Sequence, residues 1–110
     1  MLDDETYYKI LKLLQEDPHI SQRALANALG VSLGKTNYCV RALIDRGLIK
    51  ARNFRTSQNK MAYAYILTPK GMKEKASVSI RFLKQKLAEH DELQQEIARL
   101  RREVGNFLSQ

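Results

Sequence analysis

Three chemically active patterns overlap in residues 30–36, which read Gly-Val-Ser-Leu-Gly-Lys-Thr. They are the Gly-x-Ser-x-Gly of an esterase nucleophile, the Ser-x-x-Lys of a serine–lysine pair, and a glycine-rich phosphate loop that is one residue short. The first and the third need a buried strand directly upstream, whereas Ala24–Leu29 has the apolar spacing of a helix. His90, the histidine that follows, has no clear acidic partner to orient it. We therefore expect no enzymatic activity.

Residue types that bind metals or carry out redox chemistry are scarce, with 1 cysteine and 2 histidines in the chain. Cys39, His19 and His90 do not have the spacing of metal ligands. A single cysteine excludes an intramolecular disulfide, and its place between Tyr38 and Val40 favours a small core residue over a redox sensor. We predict neither a metal nor a cofactor.

A different chemistry is available if residues 33–46 form a helix that turns Val40, Leu43 and Ile44 inward. The opposite face then carries Gly34, Asn37, Tyr38 and Arg41, with Lys35 and Thr36 near the start of the helix. Asparagine pairs bidentately with adenine and arginine with guanine, while Lys, Thr and Tyr side chains suit phosphates or base edges. Gly34 has no side chain and therefore lets the helix approach a duplex closely. This face predicts a surface that reads DNA.

Basic charge is concentrated in the same part of the chain. Residues 21–75 carry 11 basic and 2 acidic side chains, whereas residues 1–20 carry 2 and 5, and residues 76–110 carry 6 and 5. A basic block on a folded domain favours a polyanionic partner, because each Lys or Arg that neutralises a phosphate releases a counterion. Lipid headgroups and acidic proteins remain alternatives.

Closely spaced helix signals place this face in a helix-turn-helix. The predicted helices run from Asp3 or Asp4 to about Glu16, from Gln22 to Leu29 after the N-cap Ser21, and from the N-cap Ser32 to Arg46. Gly30 and Gly47 end the second and third helices. The second helix starts with Ser21, Gln22 and Arg23, which can also fix the register on a phosphate, although capping is the first role of Ser21 and Ser32. We expect this helix to bury Ala24, Leu25, Ala28 and Leu29.

After Gly47 the pattern becomes extended, with strands predicted over residues 48–52 and 61–67. The polar segment between them, residues 53–60, is too long for a tight turn and is predicted to project as a wing. Side chains for tracking phosphates are Arg52, Asn53, Arg55, Asn59 and Lys60, and one arginine can enter the minor groove.

Thr68 and Pro69 open a helix that nothing clearly interrupts before Gly105. About 36 residues at 1.5 Å each would reach about 54 Å, which is longer than the domain is wide. Such a helix needs a partner for its apolar positions, which we predict to be a second copy of the chain. The predicted dimerisation residues are Ile80, Leu83, Leu87, Leu93, Ile97, Leu100, Val104 and Phe107. The first three and the last five are out of phase by one residue, with the change near His90.

The fold class is therefore mainly α with a small β-hairpin, a winged helix-turn-helix over residues 1–75 followed by a dimerisation helix over residues 76–110. No apolar run is long enough to span a bilayer and the first residues are acidic, so a cytoplasmic protein without a membrane partner is expected.

Several motifs resemble the MarR family of winged-helix regulators. They are Ser21-Gln22-Arg23-Ala24-Leu25-Ala26, Gly30-Val31-Ser32, Leu43-Ile44-Asp45-Arg46-Gly47-Leu48-Ile49 and Leu67-Thr68-Pro69-Lys70-Gly71. Asn53-Phe54, Asn59-Lys60 with Tyr63-Ala64-Tyr65, and residues 82–86 look like its exopolysaccharide-associated branch. The resemblance implies a bacterial homodimer that binds a pseudo-palindromic operator near polysaccharide biosynthesis genes. Gln58-Asn59-Lys60 differs from the acidic-basic wing motif usual in the family, and no small-molecule effector is predicted.

The leading prediction is a transcriptional regulator that binds double-stranded DNA sequence-specifically as a homodimer. The alternative is a winged-helix module that docks an acidic protein partner without reading DNA. That alternative would favour apolar residues on the face that carries Asn37, Tyr38 and Arg41, which are mostly polar. RNA binding is a weaker alternative, because the face lacks an aromatic stacking platform.

Overall fold

The computed structural model describes residues 3–55, 58 and 61–109. The elements are the helices α1 (Asp4–Glu16), α2 (Gln22–Leu29) and α3 (Leu33–Asp45), the strands β1 (Ile49–Arg55) and β2 (Met61–Leu67), and the helix α4 (Pro69–Leu108). The two strands form an antiparallel hairpin. The predicted fold class, a winged helix-turn-helix with a long C-terminal helix, is confirmed.

Each helix is capped by the residue before it. The side chains of the four caps accept a hydrogen bond of 2.7–3.1 Å from the backbone N–H three residues on, and these caps are Asp3, Ser21, Ser32 and Thr68. Gly30 and Gly47 follow α2 and α3 with φ of 69° and 73°, a left-handed conformation in which glycine has no Cβ penalty. Capping and stop residues were therefore reliable signals in this sequence.

The hairpin is longer than its sequence pattern suggests. β1 continues to Arg55, which pairs with Met61, so residues 53–55 belong to the strand and not to the wing. The ladder extends because residues 61–63 of β2 give each of these residues a partner. Of the predicted wing, residues 56, 57, 59 and 60 lie outside the described residues.

The core lies where the three short helices, the hairpin and the first part of α4 meet. Its fully buried side chains include Ile10, Leu11 and Leu14 of α1, Leu25 of α2, Cys39, Val40 and Leu43 of α3, Ile49 of β1 and Val78 of α4. The expectation for α2 was partly wrong. The helix is turned so that Leu25 and Ala26 are buried and Leu29 is half-buried, while Ala24 and Ala28 are exposed.

The start of α4 is fixed against the turn between α3 and β1. The Thr68 hydroxyl donates to the Gly47 carbonyl at 2.6 Å, and the Thr68 N–H donates to the Leu48 carbonyl at 3.0 Å. Gly71 is buried so closely on the same turn that an added Cβ would lie 1.9 Å from the Leu48 carbonyl oxygen. No side chain larger than hydrogen fits at this position.

α4 next packs along α1. Val78 is fully buried, the Phe82 ring stacks on Tyr8 with centroids 5.2 Å apart, and Arg81 pairs with Asp4 at 3.2 Å. The expected boundary between domain and dimerisation helix at residue 75 was therefore too early, because the packed part of the domain extends to Phe82.

Beyond residue 82 every described side chain of α4 is exposed, and the helix continues through Gly105 to Leu108. The chain consequently measures 73 × 29 × 22 Å. No helix in the described part of the chain is both long and apolar enough to cross a membrane.

Candidate nucleic-acid interface

The outer face of α3, which we define as Gly34, Asn37, Tyr38 and Arg41, points away from the core. The helix places Cys39, Val40 and Leu43 inside, each at most 1% exposed, so the residues about half a turn away must face solvent. Tyr38 is 65% exposed. The outer face lines a shallow depression together with Ala42 and Asp45. A Cβ added at Gly34 would meet no atom within 4 Å, so nothing within the described chain occupies the space in front of this position.

Cys39 lies on the opposite side of α3. Desolvation by burial raises the pKa of its thiol, which disfavours the reactive thiolate. Its predicted position in the core is confirmed.

Thr36 does not belong to this surface, which corrects the sequence prediction. Its side chain is completely buried, and its hydroxyl donates to the Ser32 carbonyl at 2.9 Å. A threonine hydroxyl in a helix can donate a hydrogen bond to the carbonyl four residues earlier, and here that bond keeps the side chain turned inward. Lys35, the neighbouring candidate, is exposed.

Gln22 links the two helices of the helix-turn-helix to the hairpin. Its Nε2 donates to Asn37 Oδ1 at 3.3 Å and to Tyr65 Oη at 3.1 Å. The half-buried Gln22 side chain is therefore engaged inside the fold and is not directed to a phosphate. An amide oxygen can accept two hydrogen bonds, so Oδ1 of Asn37 can accept from Gln22 and still accept from a base, and the bond fixes the orientation of the Asn37 amide.

Exposed cations occur on α2, α3 and β1, and Arg41 is the one on the outer face itself. Arg23 of α2, Lys35 and Arg41 of α3, and Arg52 of β1 are all exposed. Within the described part of the chain, none of these four forms an ion pair with a carboxylate. Their charge is thus available to an anion outside the protein. Ser21 is exposed at the start of α2, and its hydroxyl is used for capping.

The hairpin divides the predicted wing contacts between its two faces. Arg52 stands opposite Ala64 and Asn53 stands opposite Tyr63, and successive residues of a strand point to opposite sides. Asn53 and Arg55 therefore share one face and Arg52 lies on the other, although all three are exposed. The predicted contacts of Asn59 and Lys60 lie outside the described residues.

Sequence reasoning missed two tyrosines of β2. Tyr63, which is 56% exposed, stacks on the buried Tyr65 with ring centroids 6.4 Å apart. Both rings line a cavity against the start of α2, between β2 and His19–Gln22. The alternating pattern of β2 could have placed both rings on one face, but not beside α2. The contact that brings them there is the Tyr65 N–H donating to the Pro18 carbonyl at 2.9 Å.

The predicted dimerisation residues form no part of the core. Their side chains are between 40% and 77% exposed, and they are Ile80, Leu83, Leu87, Leu93, Ile97, Leu100, Val104 and Phe107. Large exposed apolar patches on soluble proteins commonly mark interaction sites.

Comparison with known proteins supports the fold from two directions. Residues 3–50 match the family model described as winged helix-turn-helix DNA-binding. No curated protein sequence matches the chain significantly.

The solved structures that resemble the chain include bacterial transcriptional regulators. The PcaV regulator from Streptomyces coelicolor, in complex with its natural ligand, superposes with a TM-score of 0.62 and 22% identity over 74% of this chain and 57% of PcaV. A MepR mutant from S. aureus superposes with a TM-score of 0.60 and 20% identity, over 97% of this chain and 80% of the MepR chain. A MarR/EmrR family transcriptional regulator from Acinetobacter sp. ADP1 superposes with a TM-score of 0.55 and 25% identity, over 92% of this chain and 75% of the regulator's chain.

The chain spans 57% and 60% of the length of PcaV and of the zinc-dependent MarR family regulator AdcR. At these identities the likeness shows a shared winged helix-turn-helix fold with a long helix after the hairpin.

Proposed function

We propose that this protein is a transcriptional regulator that binds double-stranded DNA sequence-specifically as a homodimer. The observation that carries the proposal is the outer face of α3, an exposed polar surface on which Arg41 has no carboxylate partner in the described part of the chain. The same holds for the exposed Arg23, Lys35 and Arg52. The match of residues 3–50 to DNA-binding winged helices supports the same conclusion.

In this proposal α3 enters the major groove. Arg41 donates to the two acceptors of guanine, and Asn37 donates through Nδ2 to a base acceptor while Gln22 holds its oxygen. The open space in front of Gly34 lets the helix axis come close to the bases. Each of these contacts depends on the base pair, so the outer face supplies specificity.

Phosphate contacts come from the other exposed cations. Arg23 and Lys35 lie near the starts of α2 and α3, where helix N-termini favour anions, and the hairpin side chains contact the adjacent backbone. These contacts add affinity for any sequence and make binding sensitive to salt.

The homodimer is proposed from the exposed apolar residues of α4, which need a partner surface. A twofold dimer reads an inverted repeat, because each subunit presents the same helix to its own half-site. Target genes near polysaccharide biosynthesis are proposed from the resemblance of Asn53-Phe54 and Tyr63-Ala64-Tyr65 to the exopolysaccharide-associated branch. A regulator of this kind acts in the cytoplasm, where bacterial DNA is.

The test is selection of bound sequences from a random double-stranded DNA library, followed by affinity measurements at two salt concentrations. We expect enrichment of an inverted repeat that is bound at least about a thousandfold more tightly than random DNA. Salt-sensitive binding with no enriched sequence would contradict the proposal.

That second result would instead support a protein-interaction module. The observation that favours this candidate is that Ile80, Leu83 and Leu87 expose apolar side chains on the part of α4 nearest the winged domain, apart from the five later apolar residues. Such a module would use its basic surface to dock an acidic partner.

A further inference from the structure

The last part of α4 carries an apolar row that we call the seam, formed by Leu93, Ile97, Leu100, Val104 and Phe107. Successive members are four, three, four and three residues apart, which is the repeat of a left-handed coiled coil. All five are 40–77% exposed on a continuous helix. The seam lies entirely beyond Phe82, the last residue of α4 that packs on the domain.

The spacing assigns each seam residue a heptad position, because the step from a to d is three residues and the step from d to a is four. Ile97 and Val104 occupy a, and Leu93, Leu100 and Phe107 occupy d. In parallel coiled coils, β-branched residues at a combined with leucine at d favour two strands over three or four. Phe107 is the exception, and it stands at the end of the row.

The charges beside the seam select the parallel orientation. Position g carries Glu96 and Glu103, and position e carries Gln94 and Arg101. In a parallel pair, each g residue faces the e residue five positions further along the other helix, so Glu96 faces Arg101 of the partner subunit. In an antiparallel pair g faces g and e faces e, so glutamates would face glutamates.

We propose that the seam binds the seam of a second copy of this chain in a parallel, in-register, two-stranded coiled coil. This inference rests on the homodimer of the proposed function and adds its geometry. Both winged domains then lie at the same end of the paired helices, on either side of one twofold axis. In the same register Ile80 and Leu87 fall at position e. Leu83 falls at position a, but Lys86 at d and His90 at a separate it from the apolar seam.

Cysteine cross-linking on the full chain tests the orientation. Cys39 can stay, because its side chain is buried and only 1% exposed. Ile97→Cys and Val104→Cys, made separately, place one thiol at a, where parallel helices bring the same residue of both chains together. Arg102→Cys, at the outward position f, is the matched control.

With a short bis-maleimide, we expect most chains of both seam variants to become covalent dimers, while Arg102→Cys and the parent chain stay uncoupled. An antiparallel pair sets a beside d, so at most one seam position can lie next to its own copy. A dimeric mass by sedimentation without coupling at both positions would overturn the parallel orientation alone. A monomeric mass of the parent chain would overturn the homodimer as well.

A charge reversal gives a second readout that does not require a new thiol. Glu96→Arg sets two like charges against each other in the parallel pair, so the dimer dissociation constant rises about three- to tenfold at low salt. Adding Arg101→Glu to Glu96→Arg restores opposite charges at the pair and returns the dissociation constant to that of the parent chain. Glu92→Arg makes the same charge change at position c, away from the seam, and leaves dimerisation unchanged. Tighter association of Glu96→Arg would show that Glu96 faces glutamates, and the parallel arrangement would be wrong.

Discussion

The side-chain amide of Gln22 donates to Oδ1 of Asn37 at 3.3 Å and thereby fixes an amide on the outer face of α3 from the start of α2. The same nitrogen donates to the Tyr65 hydroxyl at 3.1 Å. An Asn side chain can present an acceptor and a donor to a base, and this bond fixes the direction in which each group points. In the proposed DNA complex, Gln22 is therefore a positioning residue that acts through Asn37.

Gln22→Ala should reduce discrimination at one base position more than it reduces affinity for random DNA. Without the bond from Gln22, the Asn37 amide can rotate by half a turn and exchange its donor and acceptor groups. The preference for one base at the position that Asn37 contacts should then fall about tenfold. Binding to a panel of single-base operator variants measures this. Tyr65→Phe is the control, since it removes the other partner of Gln22 and leaves the Asn37 bond. Equal losses on every sequence would show that Gln22 only supports the fold.

Arg41→Ala and Arg52→Ala should separate base reading from phosphate contact. Arg41 lies on the outer face of α3, so its loss should cost about 1–3 kcal/mol on the selected sequence and relax one base position. Arg52 lies on the hairpin, and its loss should weaken binding to all sequences alike. The slope of log affinity against log salt concentration should become about one unit less steep. Affinities on specific and random DNA at several salt concentrations distinguish the two. A uniform loss from Arg41→Ala would exclude it from base reading.

Capping residues and hydrophobic periodicity predicted the helices. They did not predict the side-chain positions that depend on contacts between helices. Asp3, Ser21, Ser32 and Thr68 cap their helices as their residue types indicate, because a cap depends on neighbours three residues away. The inward turn of Thr36 and the bond from Gln22 to Asn37 depend on the exact rotation of one helix and the position of another. Hydrophobic periodicity does not specify either of these.

The boundary of the domain was missed for a similar reason. Val78 reads as an ordinary apolar residue of a long helix, and only the packing of α4 on α1 shows that it belongs to the core. The split of Arg52 from Asn53 and Arg55 likewise follows from the extended pairing of β1 with β2.

Gly71→Ala should destabilise the domain, while Gly105→Ala in the same helix should not. The new Cβ at residue 71 would lie 1.9 Å from the Leu48 carbonyl oxygen, and a backbone atom cannot move aside as a side chain does. Overpacking of this kind costs about 3 kcal/mol, which lowers Tm by at least about 10 °C in a domain of this size. A Cβ at residue 105 meets nothing within 4 Å, and the helix gains about 0.5–1 kcal/mol from alanine. Similar Tm values for both variants would contradict the close approach of α4 to the turn.

Truncation should separate folding from dimerisation. A chain ending at Lys84 keeps Val78 and Phe82, so it should unfold cooperatively and sediment as a monomer, whereas a chain ending at Lys75 loses the buried Val78 and should not fold stably. Calorimetry and sedimentation measure both properties.

The chain ending at Lys84 should also bind DNA differently from the full chain. Two linked domains bind an inverted repeat with a high effective concentration at the second half-site, so removal of the seam should lower affinity for the repeat by about a hundredfold or more. Affinity for a single half-site should remain, because the outer face of α3 is intact. If the truncated chain bound the full repeat as tightly as the intact one, the exposed residues of α4 would have no part in bringing two DNA-binding domains together.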